Sequence, residues 1–299
     1  MKYFIYFFCI NSLCIITLNA QGCSDAGVCS ISNSFSNAIE NSKNQIEVGS
    51  IFGTGEAAIF YISPYVTYTR HFSETLSISA KVTYSQASGD FGTRGQFGDA
   101  YLIGNYNFKK KKEKQWNALL GFKFPFTTAN AKINEISLPL DYQASLGTFD
   151  AIIGVGFTYK KWLFHTALQL PVFNNNKNSY FDEYSASNDF QSTNLFERKP
   201  DFLLRTTYTI VANGKLTFKP NLLFLYHLGD DSYETIFGTR EVIKNSEGIT
   251  LNGNLITSYA FTTNKSIELS LATPFVVRDV RPDGLTRSFT AGISYIYGF

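Results

Sequence analysis

Alternation of apolar with small or polar side chains, residue by residue, constrains the fold of this chain more than any other feature. It is plainest in the last fifteen residues. Phe289, Ala291, Ile293, Tyr295, Tyr297 and Phe299 share one phase; Ser288, Thr290, Gly292, Ser294, Ile296 and Gly298 share the other. A period of two is that of a β-strand, whose successive side chains point to opposite faces. The same rhythm recurs in about twelve segments: 45–54, 57–71, 75–87, 96–108, 115–126, 145–159, 162–173, 200–212, 215–228, 248–261, 265–278 and 285–299. Nothing here carries a helical period, so the chain reads as all-β.

What the apolar phase faces is decided by composition and by the connections. Aromatic residues make up 16% of the chain and charged residues only 17%, against about 25% charged in ordinary soluble proteins. Mean hydropathy is -0.07, as expected when a lipid-facing phase and a polar phase cancel. Past residue 20 no apolar run approaches the ~18 residues of a membrane helix. Every second connection is short: Phe72–Glu74, Lys109–Lys114, Lys160–Lys161, Asn213–Gly214 and Thr262–Asn264. The alternate ones, Ser88–Gly95, Thr127–Ala144, Asn174–Lys199, Gly229–Glu247 and Asp279–Gly284, are mostly longer and rich in Gly, Asn, Asp and Ser; that near Gly53–Glu56 is short. Short turns at one rim and long loops at the other are a property of transmembrane barrels. Aromatic side chains crowd the strand ends. Tyr106, Phe108, Trp116, Tyr159, Trp162, Tyr259, Phe261, Tyr297 and Phe299 fall at the short-turn rim, and Phe124, Phe126, Phe149, Phe202 and Phe289 at the other. Such girdles mark the two membrane–water boundaries. The predicted architecture is an antiparallel up-and-down transmembrane β-barrel of about twelve strands, with short periplasmic turns and long extracellular loops. A soluble sandwich would also alternate, but it does not explain the belts, the loop asymmetry and an export signal together.

That signal is residues 1–20, where Lys2 precedes a mostly apolar run, Phe4–Leu18, and Leu18-Asn19-Ala20 closes it. This reads as a cleaved secretory signal peptide. Cys23 and Cys29 follow, and in an exported chain they are disulfide candidates; lipoprotein processing before Cys23 is the alternative. Residues 21–44 read as a periplasmic lead-in, and 45–299 as an outer-membrane barrel. The terminal Tyr295, Tyr297 and Phe299 look like the signal read by the barrel assembly machinery, so that machinery and outer-membrane lipid are the expected partners. A net charge of +2 gives no reason to expect a nucleic-acid partner.

The opposite phase of the strands carries the charges Glu47, Lys81, Asp99, Lys123, Asp150, Asp201, Arg205, Lys219, Glu268 and Arg278, with His165 and His227. Lys81, Lys123, Asp150, Arg205 and Lys219 fall around mid-barrel. These groups either brace a filled lumen by pairing or line a solute path and set its selectivity. Twelve strands lie between the filled eight-stranded barrel and the open sixteen-stranded porin, so strand number leaves the two open. Tyr101, with Tyr61 and Tyr65, offers a stacking surface inside. Loop Asn174–Lys199, with Tyr180, Phe181, Tyr184, Phe190 and Phe196, is expected to fold over the mouth or into the lumen. No metal cluster or cofactor motif is present, so no cofactor is expected. The only histidines, His71, His165 and His227, share no lipid face with a nearby serine, so no enzyme activity is expected.

Three pieces in order carry a family resemblance: Gly98-Asp99-Ala100-Tyr101-Leu102; Ala118-Leu119-Leu120-Gly121-Phe122-Lys123-Phe124-Pro125-Phe126; and Leu138-Pro139-Leu140-Asp141-Tyr142-Gln143 with Leu146-Gly147-Thr148-Phe149-Asp150. Over about residues 96–172 the chain resembles the outer-membrane transporters named for the meta pathway of phenol degradation; the Cys23–Cys29 lead-in has no place in that pattern. The resemblance implies a β-barrel that takes up small, aromatic or hydrophobic compounds, with Asp99 and Asp150 at family-like positions. Three functions compete: a passive channel for small solutes, a structural or adhesive barrel with a closed lumen and ligand-binding loops, and, least favoured, a phospholipase-like membrane enzyme.

Overall fold

A computed structural model describes residues 22–23 and 42–299, apart from 186, 188 and 285. Twelve antiparallel strands form a closed barrel. In chain order they are β1 (Asn44–Gly55), β2 (Phe60–His71), β3 (Leu76–Gly89), β4 (Gly92–Asn107), β5 (Lys114–Pro125), β6 (Thr148–Tyr159), β7 (Trp162–Asn174), β8 (Asp201–Tyr208), β9 (Leu216–His227), β10 (Gly248–Thr262), β11 (Lys265–Val276) and β12 (Thr286–Gly298). Each pairs with its neighbours in sequence, and β12 pairs with β1 to close the sheet, in register from Thr290↔Gly53 to Gly298↔Gln45. Closure removes the edge strands that would otherwise leave unpaired backbone groups in lipid.

The alternation resolves as predicted. Val48, Val66, Leu102, Leu120, Ile153, Leu222, Leu269 and Ile293 are exposed on the outer wall, where only lipid can satisfy them. Aromatic pairs mark the rims. Tyr106 and Phe108, Tyr259 and Phe261, and Tyr297 and Phe299 lie 5.0, 5.3 and 5.7 Å apart at the short-turn rim. Phe124 and Phe149 meet at 6.3 Å at the opposite one. Both ends of the barrel chain lie at the short-turn rim, where Asn44 and Phe299 exchange two backbone hydrogen bonds of 2.9 and 2.8 Å.

Several boundaries differ from the sequence reading. Ser88–Gly95, expected as a long loop, is the top of a continuous hairpin. β3 runs to Gly89 and β4 starts at Gly92, because the cross-strand pair Ser88–Thr93 (3.0 Å) and the inward Arg94 extend the ladder above the membrane. β6 begins at Thr148 rather than 145, since Gly147 turns there with φ +71°. The predicted 200–212 strand is interrupted: β8 ends at Tyr208 and only Ile210–Val211 resumes the pairing with β9. The gap faces Pro220, which has no N–H to donate. β11 stops at Val276, so Arg278 lies in the loop beyond it and not on the barrel wall.

Gly22–Cys23 pairs with Arg287–Thr286, at the long-loop end of β12, whereas the sequence reading set 21–44 on the periplasmic side. The signal segment 1–20 and Cys29, and with it the proposed disulfide, lie outside the described residues.

Candidate functional site

The lumen is built in levels, and the predicted inner-face residues divide among them. Lowest is a polar wall on β1–β3 and β10–β12. There the Tyr65 hydroxyl donates to Glu47 at 2.7 Å, and the Lys81 ammonium sits 4.1 Å from the centre of the Tyr65 ring. The Ser258 hydroxyl donates to Glu268 at 2.8 Å. Lys219 is half-buried at the lower end of β9. His165 and Arg205 are register partners on β7 and β8, and both are buried.

Across from this wall, six adjacent strands, β4–β9, place Tyr101, Ile103, Leu119, Ile152, Ala167, Leu203 and Leu223 inward in one buried cluster, with Leu225 packed against it. An apolar belt inside the barrel was missed by the sequence reading, which treated the inner phase as the polar one. Its trace was visible. Ala118-Leu119-Leu120, Ala151-Ile152-Ile153, Phe202-Leu203-Leu204 and Leu222-Leu223-Phe224-Leu225 are apolar in both phases, the pattern of strands with two apolar faces.

Above the belt, the three family-like motif pieces meet. At Gly98–Asp99 the pairing of β4 with β3 shifts by one residue, and both side-chain positions turn inward. A Cβ on Gly98 would lie 2.6 Å from the Ala144 carbonyl oxygen, so glycine lets the loop between β5 and β6 seat against the wall. Ser145 of that loop donates to Asp99 at 2.6 Å, and Gln143 bonds Ala131 and Leu138. Lys123 pairs with Asp150 at 2.8 Å and also donates to Thr148 at 2.9 Å; Gln169 donates to Asp150 as well. These charges brace the seated loop: Lys123 and Asp150, expected at mid-barrel, are tied to each other near the long-loop rim, because β6 begins only at Thr148.

The mouth is filled by loops. Asn176 and Asn178 of the β7–β8 loop donate to the carbonyls of Leu146, Ala129 and Leu138, lacing it to the β5–β6 loop, and Asn174 at the end of β7 donates to the Phe196 carbonyl. Tyr180 and Phe190 pack with Tyr142, Leu138 and Tyr61 in one core, and Phe196 packs with Leu140, Leu146 and Ile243 in another. The β7–β8 loop therefore folds over the mouth as expected, with Tyr180, Phe190 and Phe196 buried; Tyr184 stays outside.

Beside these cores lies a charged network the sequence reading did not assemble. Arg198 reaches Asp201 at 2.5 Å and Asp283 at 3.2 Å, and Arg278 reaches Asp283 at 2.5 Å. His227 lies between Asp201 (2.7 Å) and Asp231 (2.8 Å), and all of these side chains are buried. Burial alone would push the Asp283 carboxyl up, but Arg278 and Arg198 outweigh it and hold the group well below the usual carboxylate range. Burial would likewise lower Arg198, yet Asp201, Asp283 and Asp231 drive it above its ordinary value. Sequence spacing cannot pair Arg198 with Asp283, 85 residues apart.

No protein-family model and no curated protein sequence matches the chain. Among solved structures it is similar to the COG4313 outer membrane channel from Pseudomonas putida F1, at 12% identity and TM-score 0.59, covering 88% of this chain and 97% of that one. The fold is that of an outer-membrane β-barrel. The barrel is also similar to the translocator domain of the autotransporter NalP from Neisseria meningitidis (9% identity, TM-score 0.52, 91% and 94% covered). A third similarity is to the NanC porin (10% identity, TM-score 0.51, 85% and 98% covered).

Proposed function

We propose that this outer-membrane barrel is a passive channel for small solutes with an apolar or aromatic part, closed at its mouth by its own loops. The apolar belt of Tyr101, Ile103, Leu119, Ile152, Ala167, Leu203 and Leu223 is the observation that carries this reading. A lumen that conducted only ions and hydrophilic solutes would have no use for such a surface facing inward. The belt is packed shut in this closed form. Once it parts, opposite a wall of Ser, Thr, Asn and charged groups, it suits amphiphilic solutes, whose apolar part can lie along β4–β9 while a polar group faces β1–β3 or β10–β12. Kinship with the meta-pathway transporters is proposed on the convergence of the Gly98-Asp99, Lys123 and Asp150 motif pieces. The reading assigns the chain no catalytic step.

The competing reading is an adhesive or structural barrel, favoured by the two packed cores that fill the mouth. One experiment separates them. The mature protein, and the same chain with residues 175–197 replaced by a short Gly-Ser link, are reconstituted in liposomes, and influx of phenol, benzoate and glucose is measured. Faster phenol and benzoate influx than glucose, rising further in the shortened chain, is the expected result. Well-folded barrels that stay impermeable in both forms would sink the channel reading.

A further inference from the structure

The mouth network joins three loops to the barrel wall through a set of groups whose charge is balanced by one proton. Asp201 starts β8 and His227 ends β9. Arg198 belongs to the β7–β8 loop, Asp231 to the β9–β10 loop, and Arg278 and Asp283 to the β11–β12 loop. Arg278 also donates to the Ser246 carbonyl at 2.7 Å, and the Lys199 amide donates to Asp231 at 2.8 Å. The β7–β8 and β9–β10 loops thus each have one anchor in the network, the β11–β12 loop has two, and the wall supplies two.

The geometry at His227 sets its protonation. Nδ1 faces an Asp201 oxygen and Nε2 faces an Asp231 oxygen, at 2.7 and 2.8 Å. A carboxylate accepts and does not donate, so both contacts are hydrogen bonds only when both ring nitrogens carry hydrogen. Among these six side chains the charges then close: three carboxylates (Asp201, Asp231, Asp283) against two guanidinium groups (Arg198, Arg278) and one imidazolium. Of the other charged groups nearby, Asp150 of β6 acts on Arg198 electrostatically but is paired with Lys123. Arg281 donates to the Arg278 carbonyl at 2.7 Å, and Asp230 accepts from Ser246 and the Glu247 amide. A neutral His227 leaves one carboxylate oxygen against a ring lone pair, and a net negative charge in a buried site. An uncompensated buried charge is strongly unfavourable.

We propose that Arg198, Asp201, His227, Asp231, Arg278 and Asp283 form a charge latch that holds the mouth loops shut, and that loss of the second proton on His227 releases it. The sign follows from the partners. Burial opposes a charged ring, but the two carboxylates at 2.7 and 2.8 Å outweigh it and favour the charged ring in the latched form over the released one. The latch is therefore at full strength where the ring is charged in both forms, and it fails as pH rises through the latched-form value. The carboxylate arm has the opposite sense: the contribution of Asp283 is present above the ordinary carboxylate range and disappears as pH falls to its lowered value.

The test uses the full mature chain in liposomes and reads latch release by limited proteolysis at Arg240 and Lys244 in the β9–β10 loop. Rates are normalised at each pH to the urea-unfolded chain, and barrel integrity is checked by migration in unheated detergent gels. Cleavage of the wild type should be slow in mildly acidic buffer and rise about tenfold or more in alkaline buffer, the ratio that 1.4 kcal/mol represents. His227→Gln and Asp283→Asn should be cut fast throughout, with no alkaline step. A chain carrying His71→Gln and His165→Gln, whose one histidine is His227, should keep the wild-type step. A flat wild-type profile, a step surviving in His227→Gln, or a step lost from the His71/His165 double variant would each overturn the latch. Should His227→Gln fail to fold, the wild type and the double variant still decide. The latch rests on the channel reading only for its effect on permeability. Proteolysis that steps while solute flux stays at zero sinks the channel and leaves the latch; flux with no step does the reverse.

Discussion

Replacing Lys123 with Met tests whether the inner-face charges brace the lumen or stand in water. Lys123 and Asp150 lie 2.8 Å apart with side chains only 3% and 0% exposed. Losing the ammonium leaves the Asp150 carboxyl buried with Gln169 as its remaining side-chain donor. Breaking a buried pair from one side costs about 3–5 kcal/mol. The double change Lys123→Met with Asp150→Leu removes both charges and fills the space with apolar atoms, so the ion-pair cost vanishes. What remains is mainly the lost Gln169–Asp150 hydrogen bond, at about 1–3 kcal/mol. The two single changes should therefore be strongly non-additive, with a coupling of about 2 kcal/mol or more. Urea unfolding in lipid vesicles measures this, followed by fluorescence of Trp116 and Trp162, which sit on β5 and β7. A Lys123→Met barrel within about 1 kcal/mol of wild type would refute the bracing argument, because only water at Asp150 could make that change so cheap.

Two further perturbations probe the barrel itself. Leu120, exposed at mid-wall opposite Ile153, should tolerate Arg poorly: a loss of about 2–4 kcal/mol in vesicle unfolding marks the bilayer midplane, and a near-zero loss would mean this wall does not face lipid. Removing Phe299 deletes both backbone hydrogen bonds to Asn44 that close the seam, along with the proposed assembly signal. The expected result is a marked drop in outer-membrane insertion measured by cell fractionation, with the solute preference of the inserted fraction unchanged; normal insertion would reject the role given to this residue.

The candidate site was less legible than the wall, and particular residues show why. Asp99 and Asp150 could be placed on the inner face by counting in twos. Their partners Ser145 and Lys123 could not be assigned, since Ser145 sits in a loop whose path depends on Gly98 admitting the Ala144 carbonyl. Arg278 was assigned to a strand by its phase, but the strand ends at Val276 and the residue serves the mouth network instead.

The alternation of side chains, the even number of segments, the aromatic belts and the short turns at one rim followed from the sequence alone. They are consequences of local strand geometry and of a solvent with a water–lipid boundary, and both act on residues close in the chain. Which inward groups touch is different in kind. The pairing of Arg198 with Asp283, the bracketing of His227 by Asp201 and Asp231, and the joining of Ile152 to Leu203 and Leu223 arise only once the sheet has closed and the loops have folded back. Long-range closure brings these groups together, and no periodicity records it. Phase told which face each residue would take, and tertiary structure decided what it would meet there.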